Sequence, residues 1–400
     1  MQRGTFQLMK SLNRNIILNK IRLDGPISRA QIAKDTKLTP PTVSSIVKEL
    51  IDSGMIKESE QGESKGGRKP TMLIINADSF YVIGLDVGPK DIKTILTDLN
   101  GKVLEFYEKV LFSPLSNHEL LDIMKAEIQQ IMEQYGEEEE KVIGIGVGMH
   151  GVVDVEQGIS LYAPNLNLRN IPIKEELEVR FSRTVKVEND AKALALGEVW
   201  FGNGNGADSV VAVNVGTGIG AGIVIDGKLF HGENFIAGEI GHMTIDIGGK
   251  QCSCGNYGCL QTLAAGPAIA EKAQKEVAIG RESILREMAD HDLEKIDGKM
   301  VYEAALQGDE LSVQVLKSTG IYLGIGLTNL IHLMNPKRII IGGGVSNAGD
   351  LLMDSLKETV QKKALTEAAK HTDIRLSKLG NKATAIGAVS LLLVELFSVK

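Results

Sequence analysis

Residues 241–259 read GHMTIDIGGKQCSCGNYGC, and the fold is read outward from this stretch. It holds all three cysteines of the protein, Cys252, Cys254 and Cys259, together with His242, one of seven histidines. The spacing is His-x9-Cys-x-Cys-x4-Cys. Thiolates and an imidazole this close in sequence predict a tetrahedral Zn2+ site with no open position, a structural zinc loop over 242–259. Gly248, Gly249, Gly255 and Gly258 let the backbone turn tightly enough for the sulfurs to converge. The other readings are a Gly-rich loop with incidental thiols and a disulfide. The odd cysteine number and the lack of a charged, then apolar, leader argue against the disulfide.

The rest of the chain sets the context for that loop. Four hundred residues predict two or three domains. No run of 18 apolar residues is found, so no membrane span is expected, and cytoplasm is the expected location. The net charge of –7 is unevenly spread. Residues 1–80 carry 13 Lys and Arg against 8 Asp and Glu, a net of +5, and the remainder carries –12. A small basic head on an acidic body predicts that the head meets a polyanion.

In the head, Leu8, Leu12, Ile16, Ile17 and Ile21 form a helical stripe that Gly25-Pro26 breaks. Ser28, with Gln31 three residues on, predicts a capping box for a short helix ending near Leu38. Thr39 predicts the cap of a third helix, with Pro40 and Pro41 in its first turn. Val43, Ile46, Val47, Leu50 and Ile51 give that helix an apolar face. Thr42, Ser44, Ser45 and Lys48 lie off it and suit base edges and phosphates, as do Arg29 and Thr39 at the two helix starts. Met55–Ser59 and Thr71–Ile75 read as strands around a loop carrying Lys65, Arg68 and Lys69. Three helices and a basic hairpin predict a winged helix-turn-helix over 1–76, its third helix in the major groove and its wing on phosphates or in a minor groove. The alternative is a three-helix packing module with a solvated loop.

The body, 77–400, opens with strand Val82–Val87, ending at Asp86 and Gly88, then Ile92–Leu99 and a hairpin at Asn100-Gly101 into Val103–Val110. A helix over 117–135, a strand over 142–147, a loop through Asn165, and a strand at 185–187 leading to Glu188-Asn189-Asp190 complete one half. The pattern then repeats: strand 209–215, the turn Gly216-Thr-Gly-Ile-Gly220, a second strand to Ile225 and a third after Asp226-Gly227. Helices fill 267–334, Arg338–Ile341 leads into Gly342–Gly344, and a last helix covers 383–397. Duplicated βββαβα halves around a cleft predict an α/β, two-lobed, actin-like and sugar-kinase-like ATPase fold behind the winged head, with phosphate cupped at the glycine turns.

A winged head followed by Gly-Leu-Asp-Val-Gly, Glu-Asn-Asp-Ala, Gly-Thr-Gly-Ile-Gly-Ala-Gly, Gly-Glu-Ile-Gly-His and Cys-x-Cys-Gly-x-x-Gly-Cys resembles the ROK family of repressors, open reading frames and kinases, over nearly the whole chain. The wing Gly-Gly-Arg-Lys-Pro and the stretch Gly-His-Met-Thr-Ile-Asp are similar to xylose-operon repressors. The resemblance implies that Asn189 and Asp190 bond sugar hydroxyls, Asp190 being the general base in kinases. It implies that Glu239 and His242 belong to the sugar site, with Gly151 and Asn165 in the sugar loop. His242 would give one ring nitrogen to Zn2+ and the other to a hydroxyl. Asp190 read without the resemblance is an N-cap, and Glu239 a loop carboxylate. Three departures stand out: Gln261 replaces a sugar-binding carboxylate and, as a sugar ligand, can still bond a hydroxyl with altered selectivity, the first phosphate turn reads Gly88-Pro89-Lys90, and the usual Pro-Gly before the sugar loop is His150-Gly151.

The function expected is a sugar-responsive repressor that leaves its operator when a sugar such as xylose binds. Zn2+ is its structural ion, ATP is not expected as a cofactor, and a homodimer or dimer of dimers reads a palindrome. The alternative is an ATP-dependent sugar kinase. A zinc-stabilised scaffold that binds neither DNA nor sugar is the third class.

Overall fold

The computed structural model describes residues 6–61, 70–112 and 114–397. In the head, α1 (Phe6–Asp24) leads through β1 (Ile27–Ser28) into α2 (Arg29–Thr36) and α3 (Pro40–Asp52). Ser28 Oγ accepts from Gln31 N at 3.2 Å and so caps α2. The reciprocal half of the expected capping box does not form, because the Gln31 amide donates to Asp35 Oδ1 at 2.6 Å. Thr39 Oγ1 accepts from Thr42 N at 3.4 Å and caps α3, whose Val43, Ile46, Val47 and Leu50 are buried. Strands β2 (Ile56–Gln61) and β3 (Thr71–Ile75) pair antiparallel, and β1 joins as a third strand in the order β1-β3-β2, with Ile27 opposite Leu73. The sequence gives no sign of β1, which is two residues long and pairs with a strand more than forty positions away. The wing cations Lys65, Arg68 and Lys69 lie outside the described residues.

The first lobe is built from β4 (Tyr81–Val87), β5 (Asp91–Asp98), β6 (Val103–Val110), α4 (Asn117–Tyr135), β7 (Val142–Met149), the small meander β8 (Val152–Asp154), β9 (Ile159–Ala163) and β10 (Leu168–Ile171), then α5 (Ile173–Phe181), β11 (Thr184–Asn189) and α6 (Asp190–Phe201). The second lobe continues with β12 (Ser209–Val215), β13 (Ile219–Ile225), β14 (Lys228–Leu229), α7 (Gln261–Ala264), α8 (Gly266–Ala278), α9 (Leu285–Met288), α10 (Gly298–Leu306), α11 (Glu310–Met334), β15 (Arg338–Gly342), α12 (Asp350–Lys363), α13 (Glu367–Lys370), β16 (Asp373–Leu376) and α14 (Ala383–Phe397). The two main sheets have the same order, β6-β5-β4-β7-β11 and β14-β13-β12-β15-β16. In each, the first strand pairs antiparallel with its hairpin partner and parallel with the strand returning after helix. The duplication expected from the two glycine turns is therefore present in the strand order.

Two helices change lobes. The helix α6 follows β11 of the first sheet but packs on β12 and β13 of the second, while α14 follows β16 of the second and packs on β4 and β7 of the first. They cross where Gly387 meets α6: a Cβ there would lie 1.8 Å from Ala193 O. Gly146 of β7 plays the same part beneath α14, since its Cβ would come within 1.9 Å of Ala388 O. The stretch 380–397, though not an unbroken apolar run, reaches the length and mean hydropathy of a membrane span. Most of it is buried in the protein: Ala385, Ile386, Val389, Leu393 and Phe397 share one apolar cluster with Ile17, Leu18 and Ile21 of α1. The head thus rests directly on the crossed helices.

Candidate functional site

The ends of β4, β7 and β11 and the start of α6 converge in the cleft. Asn189 ends β11 and caps α6 by accepting from Lys192 N at 3.1 Å. Its amide donates to Gly151 O at 2.8 Å and to Asp190 Oδ1 at 3.0 Å. The N-cap weighed for Asp190 therefore belongs to Asn189, whose side chain is spent inside the protein. Asp190 takes the first position of α6, and its second oxygen accepts from Asn214 Nδ2 of β12 at 3.1 Å. Gly151 holds φ +91°, and a side chain there would collide with Tyr162 O, so this turn admits only glycine. Asn165 is exposed, in the turn between β9 and β10.

Burial pushes the Asp190 carboxyl above its ordinary range, partly offset by His150, the Ala191 N–H, Lys192 and Asn214. Burial likewise raises Glu239, against the pull of Lys192 and His242 and with a further push from Asp190. Asp86, at the end of β4, is pushed up to about 7 by burial, with Lys93 opposing and Asp190 reinforcing. Three carboxyls thus converge on one cleft, each close enough to another to feel its charge. The sequence placed a cation at this turn through Lys90, which is exposed; the ammonium beside Asp86 is that of Lys93, 4.0 Å from Asp86 Oδ2 and 2.9 Å from Asp91 Oδ1. Buried Glu188, the residue before Asn189 on β11, accepts from Asn189 N at 2.8 Å and pairs with His231 Nε2 at 2.6 Å. Lys192 Nζ donates to Phe235 O at 2.9 Å. These two contacts tie the segment after β14 to the floor. Neither was found from the sequence, because each joins residues more than forty positions apart.

The ligating atoms of His242, Cys252, Cys254 and Cys259 all lie within 4.8 Å of one another. Cys254 Sγ is 3.8 Å from Cys259 Sγ, and Cys252 Sγ is 3.7 Å from His242 Nδ1. Those are the edges of a tetrahedron around an ion with bonds of about 2.0–2.3 Å. Burial raises the Cys252 thiol, but hydrogen bonds from Cys254, Gln261 and His242 outweigh it and bring it to about 6. Burial and its neighbouring thiols push Cys259 up to about 12. The Cys252 thiolate forms readily and Cys259 resists until a cation neutralises it, which is the chemistry of a metal-binding set. The cluster can therefore hold a metal ion. The Gln261 amide, expected in the sugar site, donates to Cys252 Sγ at 3.2 Å and supports this set from behind.

On the head, Ser44, Ser45 and Lys48 share the exposed face of α3, and Thr42 is half-buried at its start. Thr39 Oγ1 lies 2.9 Å from Thr42 Oγ1, so both hydroxyls sit at the N-terminus of α3. Arg29 is paired with Glu58 at 3.0 Å. A solvent-facing helix with short polar groups and a cation, followed by a hairpin, is a surface that can enter a major groove.

Comparison with known proteins agrees with this geometry. The ROK family model matches residues 82–395, and a model of winged helix-turn-helix DNA-binding domains matches residues 13–57. The xylose repressor of Caldicellulosiruptor bescii is 33% identical over 396 residues, covering 99% of this chain and 98% of that protein. A crystal structure of a ROK family transcriptional regulator, a homologue of the E. coli MLC protein, aligns with a TM-score of 0.85 at 30% identity over 98% of each chain. A ROK family glucokinase from Streptomyces griseus, solved with glucose and AMPPNP, aligns with a TM-score of 0.71 at 33% identity, over 78% of this chain and 98% of that one. With its sheets duplicated around the cleft and both family models matched, the chain belongs to the ROK family and carries a winged helix-turn-helix head ahead of its ROK body.

Proposed function

We propose that this protein is a transcriptional repressor of a carbohydrate-utilisation operon, released from operator DNA when its ROK body binds a sugar, xylose first among the candidates. The observation that carries the reading is the union in one chain of a winged head, packed on α14, with a cleft rich in buried acceptors. Asp190, Glu239 and His242 would take sugar hydroxyls, with Asn189 and Gly151 holding Asp190 in place and Asn165 at the rim. Thr39, Thr42, Ser44, Ser45 and Lys48 would face the operator, joined by Arg29 and by the wing residues Lys65, Arg68 and Lys69. The Cys3His set would hold Zn2+, which closes the loop and sets the His242 tautomer through Nδ1. A homodimer reading a palindrome, in the cytoplasm where the operator is, completes the proposal.

The sugar is bound and not phosphorylated in this reading. Pro89 has no N–H to offer a phosphate, and Lys93 already sits beside Asp86, where a cation accompanying a nucleotide would need that carboxylate. The second reading is an ATP-dependent sugar kinase, supported by Asp190, by the turn Gly216–Gly222 and by the likeness to the glucokinase. Two assays separate them. In operator-binding anisotropy, D-xylose or another aldose should release the protein, and in ADP-release assays with Mg-ATP and the same sugars no turnover should appear. Turnover of about one per second without any effect on DNA would make the kinase reading correct.

A further inference from the structure

We propose that His150 is a sugar-recognition residue, whose Nε2 accepts a hydrogen bond from one particular ligand hydroxyl beside Asp190. This rests on the reading of the cleft as a sugar site, and adds to it a residue that no motif match assigns.

His150 follows β7, and its backbone N donates to Val87 O at 3.3 Å. Its Nδ1 lies 3.1 Å from the same carbonyl oxygen. A carbonyl can only accept, so Nδ1 carries the hydrogen and Nε2 is left with a lone pair. Burial holds the imidazole below its ordinary pKa, which keeps that lone pair free. The residue is 5% exposed, and Nε2 has no hydrogen-bond partner among the described residues. Buried polar atoms are nearly always paired, so an orphaned buried acceptor within reach of the Asp190 charge asks for a donor that the described residues do not supply.

The surroundings say which donor. The next residue, Gly151, gives its carbonyl to Asn189, which in turn holds Asp190, and the charges of His150 and Asp190 act on each other. Asp190 is an acceptor, and so is Glu239 nearby. The buried cation of this wall, Lys192, already gives a hydrogen to Phe235 O. Its charge is shared with two carboxyls, Asp190 and Glu239, and a patch in which acceptors outnumber the one ammonium suits a neutral polyol better than a phosphate or a carboxylate. His150 therefore requires a free hydroxyl at one ring position, and a sugar that is deoxygenated or phosphorylated there is rejected. Proline at this position would have no side-chain acceptor to make that demand.

The test is a cycle between protein and ligand, by calorimetry with D-xylose, D-glucose and their monodeoxy analogues. On the wild type, one deoxy position should weaken binding about tenfold or more. His150→Asn should retain a donor near Val87 O but lose the distal acceptor. It should bind the parent sugar about tenfold more weakly and show no further loss with that one analogue. His150→Gln, whose amide oxygen reaches the distal position, should restore part of the discrimination, and carries the same test if the Asn variant melts early. Asp190→Asn serves as the control for the site. If it abolishes binding while both His150 variants keep the wild-type deoxy profile, His150 is not a recognition residue. If no sugar binds the wild type, the sugar reading falls and this proposal with it.

Discussion

Cys254 is the exposed member of the Cys3His set, with Cys252 and Cys259 buried beneath it. Serine in its place disturbs packing least, so the Cys254→Ser variant reports on the metal more than on the core. Wild-type protein purified without chelator should contain about one zinc per chain. The variant should lose it, melt roughly 5 °C or more earlier, and respond to sugar more weakly, because Glu239 and His242 lie on the same loop. Elemental analysis that finds the wild type free of zinc would refute the assignment. These ligands were legible in the sequence because a Cys-x-Cys-x4-Cys loop brings its own sulfurs together. Lys93 was not: along β5 it alternates with apolar residues like any strand cation, and only the pairing of β4 with β5 sets it opposite Asp86. Gln261 was read as a sugar ligand because it stands where a carboxylate is usual, but its amide is within reach of Cys252 first.

At the scale of elements, the crossing of α6 and α14 holds the two lobes together. Adding a methyl group at Gly387 puts a carbon 1.8 Å from Ala193 O, with backbone on both sides and no flexible side chain to yield. Gly387→Ala should cost about 3 kcal/mol or more by urea unfolding. Gly344→Ala, where nothing lies within 4 Å, should stay within about 0.5 kcal/mol of wild type. Equal effects would mean that the crossing contributes nothing special. The bounds of α4 and α14 matched the apolar periodicity and the flanking turns, because both are local signals. Which sheet α14 covers was not readable, since that depends on a partner helix nearly two hundred residues earlier. The meander β8–β10 was read as a loop through Asn165: its strands are three to five residues long, too short for alternation to stand out.

For the whole molecule, α6 is the link between the cleft and the head. Its first residue is Asp190, and its twelve residues span about 18 Å. At the other end, the guanidinium of Arg22 from α1 lies 4.1 Å from the Trp200 ring and 5.8 Å from that of Phe397 of α14. Asn19 accepts from Arg22 Nε at 3.2 Å and orients it. A sugar that drew the lobes together would move α6 against α14, and α1 contacts both. The head would then feel the change through a stacked cation, a contact worth about 0.5–2 kcal/mol, which is enough to shift DNA affinity several-fold. Because coupling is reciprocal, operator DNA should weaken sugar binding by the same factor by which sugar weakens DNA binding. Arg22→Ala should leave sugar affinity measured without DNA within about twofold of wild type and should reduce the sugar-dependent loss of operator affinity about fivefold. Calorimetry with and without operator, beside anisotropy with and without sugar, measures both sides of that linkage. If Arg22→Ala releases DNA at the wild-type sugar concentration and by the wild-type factor, the signal reaches the head through other contacts of α1.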